Sequence, residues 1–445
     1  MLPPYSGLLT DLYQFTMLQG YLEQEMKEVA VYEFFVRKLP PGRNFLLAAG
    51  LEHALQFLET VFFSAEEVAW LEQSGRFTPK LLDYVANFRF SGDVDAMPEG
   101  TVFFADEPIL RVVAPIPVAQ LVETRLINLL HFQTLVASKA ARVVLAGAGK
   151  LLVDFGLRRA HGAEAGLLAA RACYLAGFGG SSNVLAEREF GIPSYGTMAH
   201  SFVQAHADEA QAFENFARAQ PDNVVLLIDT YDTEAAAHKV VALAPKLARD
   251  GIRIKAVRLD SGDLGEHARK VRAILDAGGL NGVGIFASGN LDEFEIARLA
   301  AQQAPIGGYG VGTRLLTSSD APYLDCAYKL QEYAGQPRRK RSEGKATWPG
   351  RKQVYRHYDE HGRMAGDVLT VESDPQPGEP LLQPVMRGGR RLVPAIPLLG
   401  SRTLAAQQIG RLPQGLRALT AAVPYPVQVA PALHELARAV DEQCV

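Results

Sequence analysis

Six short apolar runs in this 445-residue sequence each end in side chains able to do chemistry. Leu151-Leu152-Val153 leads into Asp154-Phe155-Gly156-Leu157-Arg158-Arg159, and Ser194-Tyr195 leads into Gly196-Thr197-Met198-Ala199-His200-Ser201. Val224 to Leu227 ends in Ile228-Asp229-Thr230-Tyr231-Asp232, and Ile254 to Val257 in Arg258-Leu259-Asp260-Ser261-Gly262-Asp263. The last two are Ala287-Ser288-Gly289-Asn290 and Gly308-Tyr309-Gly310-Val311-Gly312-Thr313. Arginines, acids, a histidine and two bare-backbone turns suit an anionic, phosphorylated substrate accompanied by a metal ion. Each feature alone has a plainer reading. Glycine turns are ordinary strand-to-helix connections, an Arg pair is a solvated face, and a lone histidine packs structurally. Company changes that. Two glycine turns follow successive late strands, and His200 has Ser201 beside it and Asp229 at the end of the next strand.

Those groups converge only if the strands that carry them are parallel neighbours. Strand-like segments recur at Leu151–Phe155, Ser194–His200, Val224–Asp229, Ile254–Leu259, Val283–Ala287, Tyr309–Gly312 and Asp325–Leu330. Helical stretches, among them Asp232–Asp250, Gly265–Ala277 and Leu291–Ala301, lie between several of them. Alternating strand and helix implies parallel pairing, because parallel neighbours need a crossover. The fold class is therefore α/β: an irregular α/β barrel of parallel strands plus a mixed α+β N-terminal domain completed by C-terminal strands. In such a barrel, function gathers at the C-terminal ends of the strands.

Four regions are expected. Residues 1–117 form the N-terminal α+β domain, with a helix over Asp11–Tyr21, a strand over Val29–Val36, a helix over Leu46–Phe63 and two short strands in Val102–Val113. Residues 118–335 form the barrel, opened by a long helix with Val118, Leu121, Val122, Leu126, Leu129 and Leu130 on one face. Residues 336–398 are turn-rich, and their strands, Lys352–Tyr358 and Asp367–Val371, are too few for a core of their own, so they pack back on the N-terminal domain. Residues 399–445 are a helical C-terminal segment.

Composition excludes several functions. A formal charge of −4 and a pI near 6.2 give no electrostatic reason for a nucleic-acid partner. The one basic run, Pro337-Arg338-Arg339-Lys340-Arg341, reads as a solvated turn. Cys173, Cys326 and Cys444 are scattered and form no CxxC pair, which argues against structural zinc and disulfides and fits a reducing cytosol. Met1-Leu2-Pro3-Pro4-Tyr5 lacks the features of a signal peptide, and no apolar run approaches membrane-spanning length. A soluble cytoplasmic enzyme is expected.

At these same residues the sequence resembles the nicotinate phosphoribosyltransferase family. The likeness runs from Leu9-Thr10-Asp11-Leu12-Tyr13-Gln14 to Leu381-Leu382-Gln383-Pro384-Val385-Met386-Arg387-Gly388-Gly389, and is densest at Asp154–Arg159, Gly196–Ser201, Leu227–Thr233 and Val257–Leu264. It implies condensation of nicotinate with phosphoribosyl pyrophosphate to nicotinate mononucleotide, coupled to ATP hydrolysis, with Mg²⁺ on the pyrophosphate. It also implies a homodimer with shared active sites.

By the same resemblance, Asp260 grips the ribose hydroxyls, and Gly289, Asn290, Gly310, Gly312 and Thr313 hold the 5′-phosphate. Phe155 forms one face of a pyridine sandwich and Tyr13 of the partner subunit the other, with Asp11 beside it. Arg158 and Arg258 are the cations near the substrates, Arg258 closer to the pyridine carboxylate. Ser182, Thr197, Ser201 and Ser261 are further substrate-binding residues. His200 matches the histidine that accepts a phosphoryl group from ATP, and Asp229 is the acid expected to hold its other nitrogen. Pyrophosphate contacts would be drawn from Arg37, Lys38, Arg158 and Arg314. The loop Phe178-Gly179-Gly180-Ser181-Ser182-Asn183 lacks the acid of the related nicotinamide-using enzyme, which favours the acid as substrate. Three rivals stay open: a nicotinamide phosphoribosyltransferase, a quinolinate phosphoribosyltransferase, and a non-catalytic pyridine-nucleotide sensor.

Overall fold

In the computed structural model, which describes residues 6–443, the chain divides into two units. Lys139–Pro322 form one; the residues up to Ser138 and from Tyr323 onward form the other. The readings made on Met1–Tyr5 and on Cys444 lie outside the described residues.

The Lys139–Pro322 unit carries six strands: β1 (Leu151–Asp154), β2 (Gly180–Ser181), β3 (Val224–Leu227), β4 (Ile254–Leu259), β5 (Gly284–Ser288) and β6 (Gly308–Val311). All pairings are parallel, in the order β2-β1-β6-β5-β4-β3. This is the open half of an irregular α/β barrel. Val153, Leu226, Leu227, Val257, Leu259 and Val311 are fully buried in it, and each such side chain contributes about 1.5–3 kcal/mol relative to exposure. The helices that return the chain start on acids or an amide just past the strand tips. Asp232 caps Thr233–Arg249, Asp263 caps Leu264–Ala277, Asp292 caps Glu293–Ala301, and Asn183 caps Val184–Phe190. A cap of this kind is worth about 1 kcal/mol.

Two expected strands differ from this. Ser194–His200 does not form a strand; only Ser194 bridges Ser181, and the chain then runs irregularly into the helix His200–Gln204. Pro193 and Gly196 flank too short an apolar stretch to sustain a ladder. Conversely, the glycine-rich stretch at Gly177–Gly180, read as a loop, contributes β2.

The other unit holds a seven-stranded sheet in the order Gln336–Pro337, Cys326–Tyr333, Val29–Val36, Pro108–Pro115, Asp93–Ala96, Gln383–Arg387 and Arg390–Arg391. The segment expected as a barrel strand, Asp325–Leu330, belongs here: Cys326–Tyr333 pairs antiparallel with Val29–Val36. Nothing local marks that partner, because the pairing spans about three hundred residues of chain. Gln383–Arg387 pairs with Asp93–Ala96, so C-terminal strands complete the N-terminal sheet. A second sheet contains Lys352–Tyr358 against Met364–Val371, extended by Val427–Val429. A buried ion pair and a buried hydrogen bond tie the sheets. Lys352 Nζ lies 2.8 Å from Glu33 Oε2, and Arg111 Nη1 donates to the Lys352 carbonyl at 2.9 Å.

Smaller departures follow the same logic. Leu46–Phe63 splits into a two-residue strand, Leu46–Leu47, and a helix, Leu51–Thr60. The long amphipathic helix is two, Ile116–Leu121 and Glu123–Gly147. In the basic run Arg338, Lys340 and Arg341 are exposed, as expected of a solvated turn, and only Arg339 is largely covered, 16% exposed and 3.5 Å from Asp441. Among the described residues no helix is long and apolar enough to cross a membrane.

Candidate active site

Parallel pairing puts the C-terminal tips of β1 and β3–β6 on one side of the sheet, and hydrogen bonds link them. Ser288, at the tip of β5, donates from Oγ to Asp260 Oδ1 at 2.5 Å. The Asp260 backbone N–H donates to Asp229 Oδ2 at 2.9 Å, and Ser261 Oγ donates to the same oxygen at 2.6 Å. Gly310 on β6 is the ladder partner of Ser288. His200 opens the helix His200–Gln204, with Nε2 3.9 Å from Asp260 Oδ2 and 4.0 Å from Asp229 Oδ1.

The expected Asp229–imidazole hydrogen bond is not formed. His200 Nδ1 pairs with Thr230 Oγ1 at 3.1 Å, while Asp229 Oδ2 is occupied by Asp260 and Ser261. Thr230 sits next to Asp229 in the same strand tip, and nothing in the sequence marks it as the partner of the imidazole. Asp229 Oδ1 is buried and has no hydrogen-bond partner. An uncompensated buried carboxylate oxygen is costly. Asp229 Oδ1 and Asp260 Oδ2, both about 4 Å from the same imidazole nitrogen, are two carboxylate oxygens of the kind a hard divalent cation takes; among the described residues no group of three or more acidic, His or Cys side chains gathers to hold a metal ion.

Arg258 reaches the same region from β4. Its Nη1 donates to Thr197 Oγ1 at 2.5 Å, its Nη2 lies 4.0 Å from Asp260 Oδ1, and its Nε is buried without a partner. Burial pulls this guanidinium below its ordinary pKa, opposed by Asp260 and Asp229 and reinforced by Arg158. Ser201 is exposed one residue beyond His200, and Arg158 is exposed in the turn Leu157–Arg159. Of the other cations, Arg314 is paired with Asp292 at 2.6 Å, and Arg37, in the other unit, with Asp325 at 3.0 Å.

The glycine turns have distinct geometries. Gly289 has φ +94°, and a Cβ there would sit 2.0 Å from the Asp260 carbonyl oxygen, so the β5 turn lies directly on the Asp260 backbone. Asn290, exposed, follows with φ +51°. At Gly310 a Cβ would meet Phe155 Cδ2 at 2.4 Å: the bare strand position holds the aromatic ring, whose centroid is also 5.8 Å from that of Phe286. Gly312 sits against the Phe155 carbonyl and precedes Thr313, which is exposed.

Asp154 precedes Phe155 at the end of β1 and has a role that the sequence motif does not reveal. It is fully buried, its Oδ1 accepting from Gly156 N–H at 2.8 Å and its Oδ2 from Ser181 Oγ at 2.7 Å. Burial pushes its carboxyl up to about 6, against the pull of those two donors. Its backbone carbonyl accepts from Ser182 N–H at 2.8 Å. A single acid ending an otherwise apolar run was the signal available in the sequence.

In the other unit, Asp11 is the N-cap residue of the helix Leu12–Glu23, and its Oδ2 accepts from Thr124 Oγ1 at 2.9 Å. Tyr13, on the first turn, is 46% exposed. Partial burial, Glu123 and Asp11 hold its hydroxyl above the usual phenol pKa.

Known proteins resemble the chain along most of its length. The description of the nicotinate phosphoribosyltransferase N-terminal domain matches residues 8–131, and that of the nicotinate phosphoribosyltransferase family matches residues 151–342. The nicotinate phosphoribosyltransferase pncB2 of Mycobacterium tuberculosis is 51% identical over 97% of this chain and 93% of its own length. The nicotinate phosphoribosyltransferase of Bos taurus is 33% identical over 96% of this chain and 95% of its own. The crystal structure of the human nicotinic acid phosphoribosyltransferase superposes with a TM-score of 0.87 at 31% identity, covering 97% of this chain and all of that one. Both family descriptions and likeness along nearly the whole length lead to one assignment: the chain belongs to the nicotinate phosphoribosyltransferase family.

Proposed function

We propose that this chain condenses nicotinate with phosphoribosyl pyrophosphate, giving nicotinate mononucleotide and pyrophosphate in NAD salvage, and that ATP drives the reaction through a phosphohistidine at His200. The observation that carries the reading is the placement of His200 Nε2 3.9 and 4.0 Å from the Asp260 and Asp229 carboxylates.

Displacement at the ribose anomeric carbon passes through a transition state with oxocarbenium character, so the protein must align the partners and stabilise separated charge. Asp260 is held by Ser288 and lies beside the imidazole, where it grips ribose hydroxyls and favours positive charge on the ring. The turns at Gly289–Asn290 and Gly312–Thr313 offer main-chain amides to the 5′-phosphate. Phe155 stacks on the pyridine, and Arg258, steadied by Thr197, meets its carboxylate. Ser182, Ser201 and Ser261 line the substrates, and Arg158 approaches the pyrophosphate. Asp229 and Asp260 would hold Mg²⁺. When bound, Mg²⁺ supplies charge neutralisation at the leaving pyrophosphate. Imidazole is a competent nucleophile for phosphorus when one nitrogen is anchored; Thr230 anchors Nδ1 and leaves Nε2 facing the cluster. A homodimer, with Tyr13 of the partner subunit covering the pyridine and Asp11 beside it, completes the reading.

The test is a pair of measurements. Incubation with γ-labelled ATP is expected to leave acid-labile label on His200. The variant His200→Ala is expected to keep phosphoribosyl pyrophosphate binding while losing the ATP-stimulated part of the rate. An unchanged response to ATP in that variant refutes the phosphohistidine. Turnover of nicotinamide with none of nicotinate refutes the substrate.

A further inference from the structure

Two loops lie against each other at the end of β1, and one buried carboxylate binds both. The first is the turn Phe155-Gly156 and the second the stretch Gly180–Asn183. Asp154 Oδ1 takes the Gly156 N–H, and Asp154 Oδ2 takes the Ser181 hydroxyl. Ser181 Oγ accepts in turn from Asn183 N–H at 3.1 Å, and the Asn183 side chain caps the helix Val184–Phe190 through Leu185 N–H at 3.1 Å. The main chain follows the same path, Ser182 N–H bonding the Asp154 carbonyl at 2.8 Å and Phe155 N–H the Val311 carbonyl at 2.9 Å. Two packing contacts restrain the Phe155-Gly156 turn. Its ring fills the space above Gly310, and Gly156 has Leu316 packed where a side chain would be.

An acid in a fully buried position is expensive unless it is hydrogen-bonded. An apolar residue would serve packing better here, since Leu152 and Val153, which precede Asp154 in the strand, and the neighbouring Cys173 are all buried apolar side chains. What the carboxylate supplies is geometry. It is an acceptor with two oxygens at a fixed angle, and each oxygen takes a donor from a different loop.

We propose that Asp154 and Ser181 are positioning residues that set the width of the pyridine cleft, by locking the Phe155 turn to the Gly180–Asn183 loop. The proposal rests on the reading above that Phe155 and Ser182 face the pyridine. The loop that Asp154 organises also bears on the choice between acid and amide. It carries no carboxylate of its own, and the nearby one is turned inward and consumed by Ser181 and Gly156, away from a ligand carboxylate.

Steady-state kinetics on three variants test it. Ser181→Ala removes one donor and leaves the Gly156 bond; it is expected to raise KM for nicotinate roughly tenfold. KM for phosphoribosyl pyrophosphate and kcat at saturation should stay within about twofold, because the Asp260 cluster is untouched. Ser181→Thr keeps the hydroxyl and should restore the nicotinate KM. Asp154→Asn should act like Ser181→Ala or more strongly. Thermal melting of each variant accompanies the kinetics, so that a general loss of fold is seen as such; Ser181→Ala is the arm least exposed to it. Equal rises in both KM values, an unchanged nicotinate KM in Ser181→Ala, or no rescue by threonine overturns the proposal. The parent protein serves as the control for the underlying reading. If it neither binds nicotinate by calorimetry nor turns it over, the functional reading fails, and the cleft with it; if it does both and the variants behave like it, only the cleft proposal fails.

Discussion

At the scale of single residues, the site separates acids by duty. In Asp229-Thr230-Tyr231-Asp232 and in Asp260-Ser261-Gly262-Asp263, the first acid enters the imidazole cluster and the second caps the following helix. The three-residue offset follows from the turn, which aims one carboxylate across the strand tips and the next at the free N–H groups of the helix. Arg258→Gln should therefore raise KM for nicotinate by about ten- to a hundredfold, the range of one charge-assisted hydrogen bond, with a much smaller effect on nicotinamide; steady-state kinetics with both pyridines measure this. Asp154 yields a prediction about pH. Its pKa in the fold is about 6 against an ordinary 3.8, so the folded state holds a proton that the unfolded chain has already released. The contribution to stability is fully present below about pH 4 and lost as pH rises through about 6. Asp154→Asn cannot titrate, so its stability relative to the parent should increase by up to about 3 kcal/mol between those limits. Denaturant midpoints at about pH 4 and pH 7 give the difference. The chemical residues were legible because each follows an apolar run. Thr230 and Asp154 stand at the ends of such runs too, but their roles were not legible, since those depend on which partners the fold brings to them.

At the scale of elements, the strands Val29–Val36 and Ile254–Leu259 have the limits that their residue pattern suggests, because β-branched and aromatic runs carry their own signal. The Cys326–Tyr333 strand shows where that signal stops. Its residues say strand, but only the folded sheet says which one and in which direction. Likewise β2 is two residues long and rich in glycine, and it is a strand because Asp154 and Val153 lie alongside it. Gly310 shows how an element serves the site through what it lacks. In Gly310→Ala the new methyl would lie 2.4 Å from the Phe155 ring. The expected result is a loss of about 1–3 kcal/mol from overpacking, with nicotinate KM raised more than that for phosphoribosyl pyrophosphate. Chemical denaturation and kinetics on the same preparation separate the two effects. A variant with parental stability and parental KM would mean that the ring moves freely and that the bare position has no such purpose.

At the scale of the whole molecule, one stretch of chain, Lys139–Pro322, carries the imidazole cluster, while the other unit is built from both ends of the sequence. If Tyr13 acts on the site of a neighbouring copy, mixing must reveal it. Tyr13→Ala and His200→Ala subunits, unfolded together in equal amounts and refolded, should regain about a quarter of the parental ATP-stimulated rate, since half the dimers are mixed and each has one intact site. No recovery beyond the sum of the separate variants would rule out sharing. The unclosed sheet has a consequence of its own. Beyond β2, among the described residues, the sheet continues only as the single bridge of Ser194 to Ser181. His200 lies just past it, on chain held by side chains, Thr230 on its ring and Arg258 on Thr197, with no strand ladder. If His200 carries the phosphoryl group proposed above, the bulky dianion comes and goes on a seam of the sheet, where movement of the imidazole breaks no strand ladder.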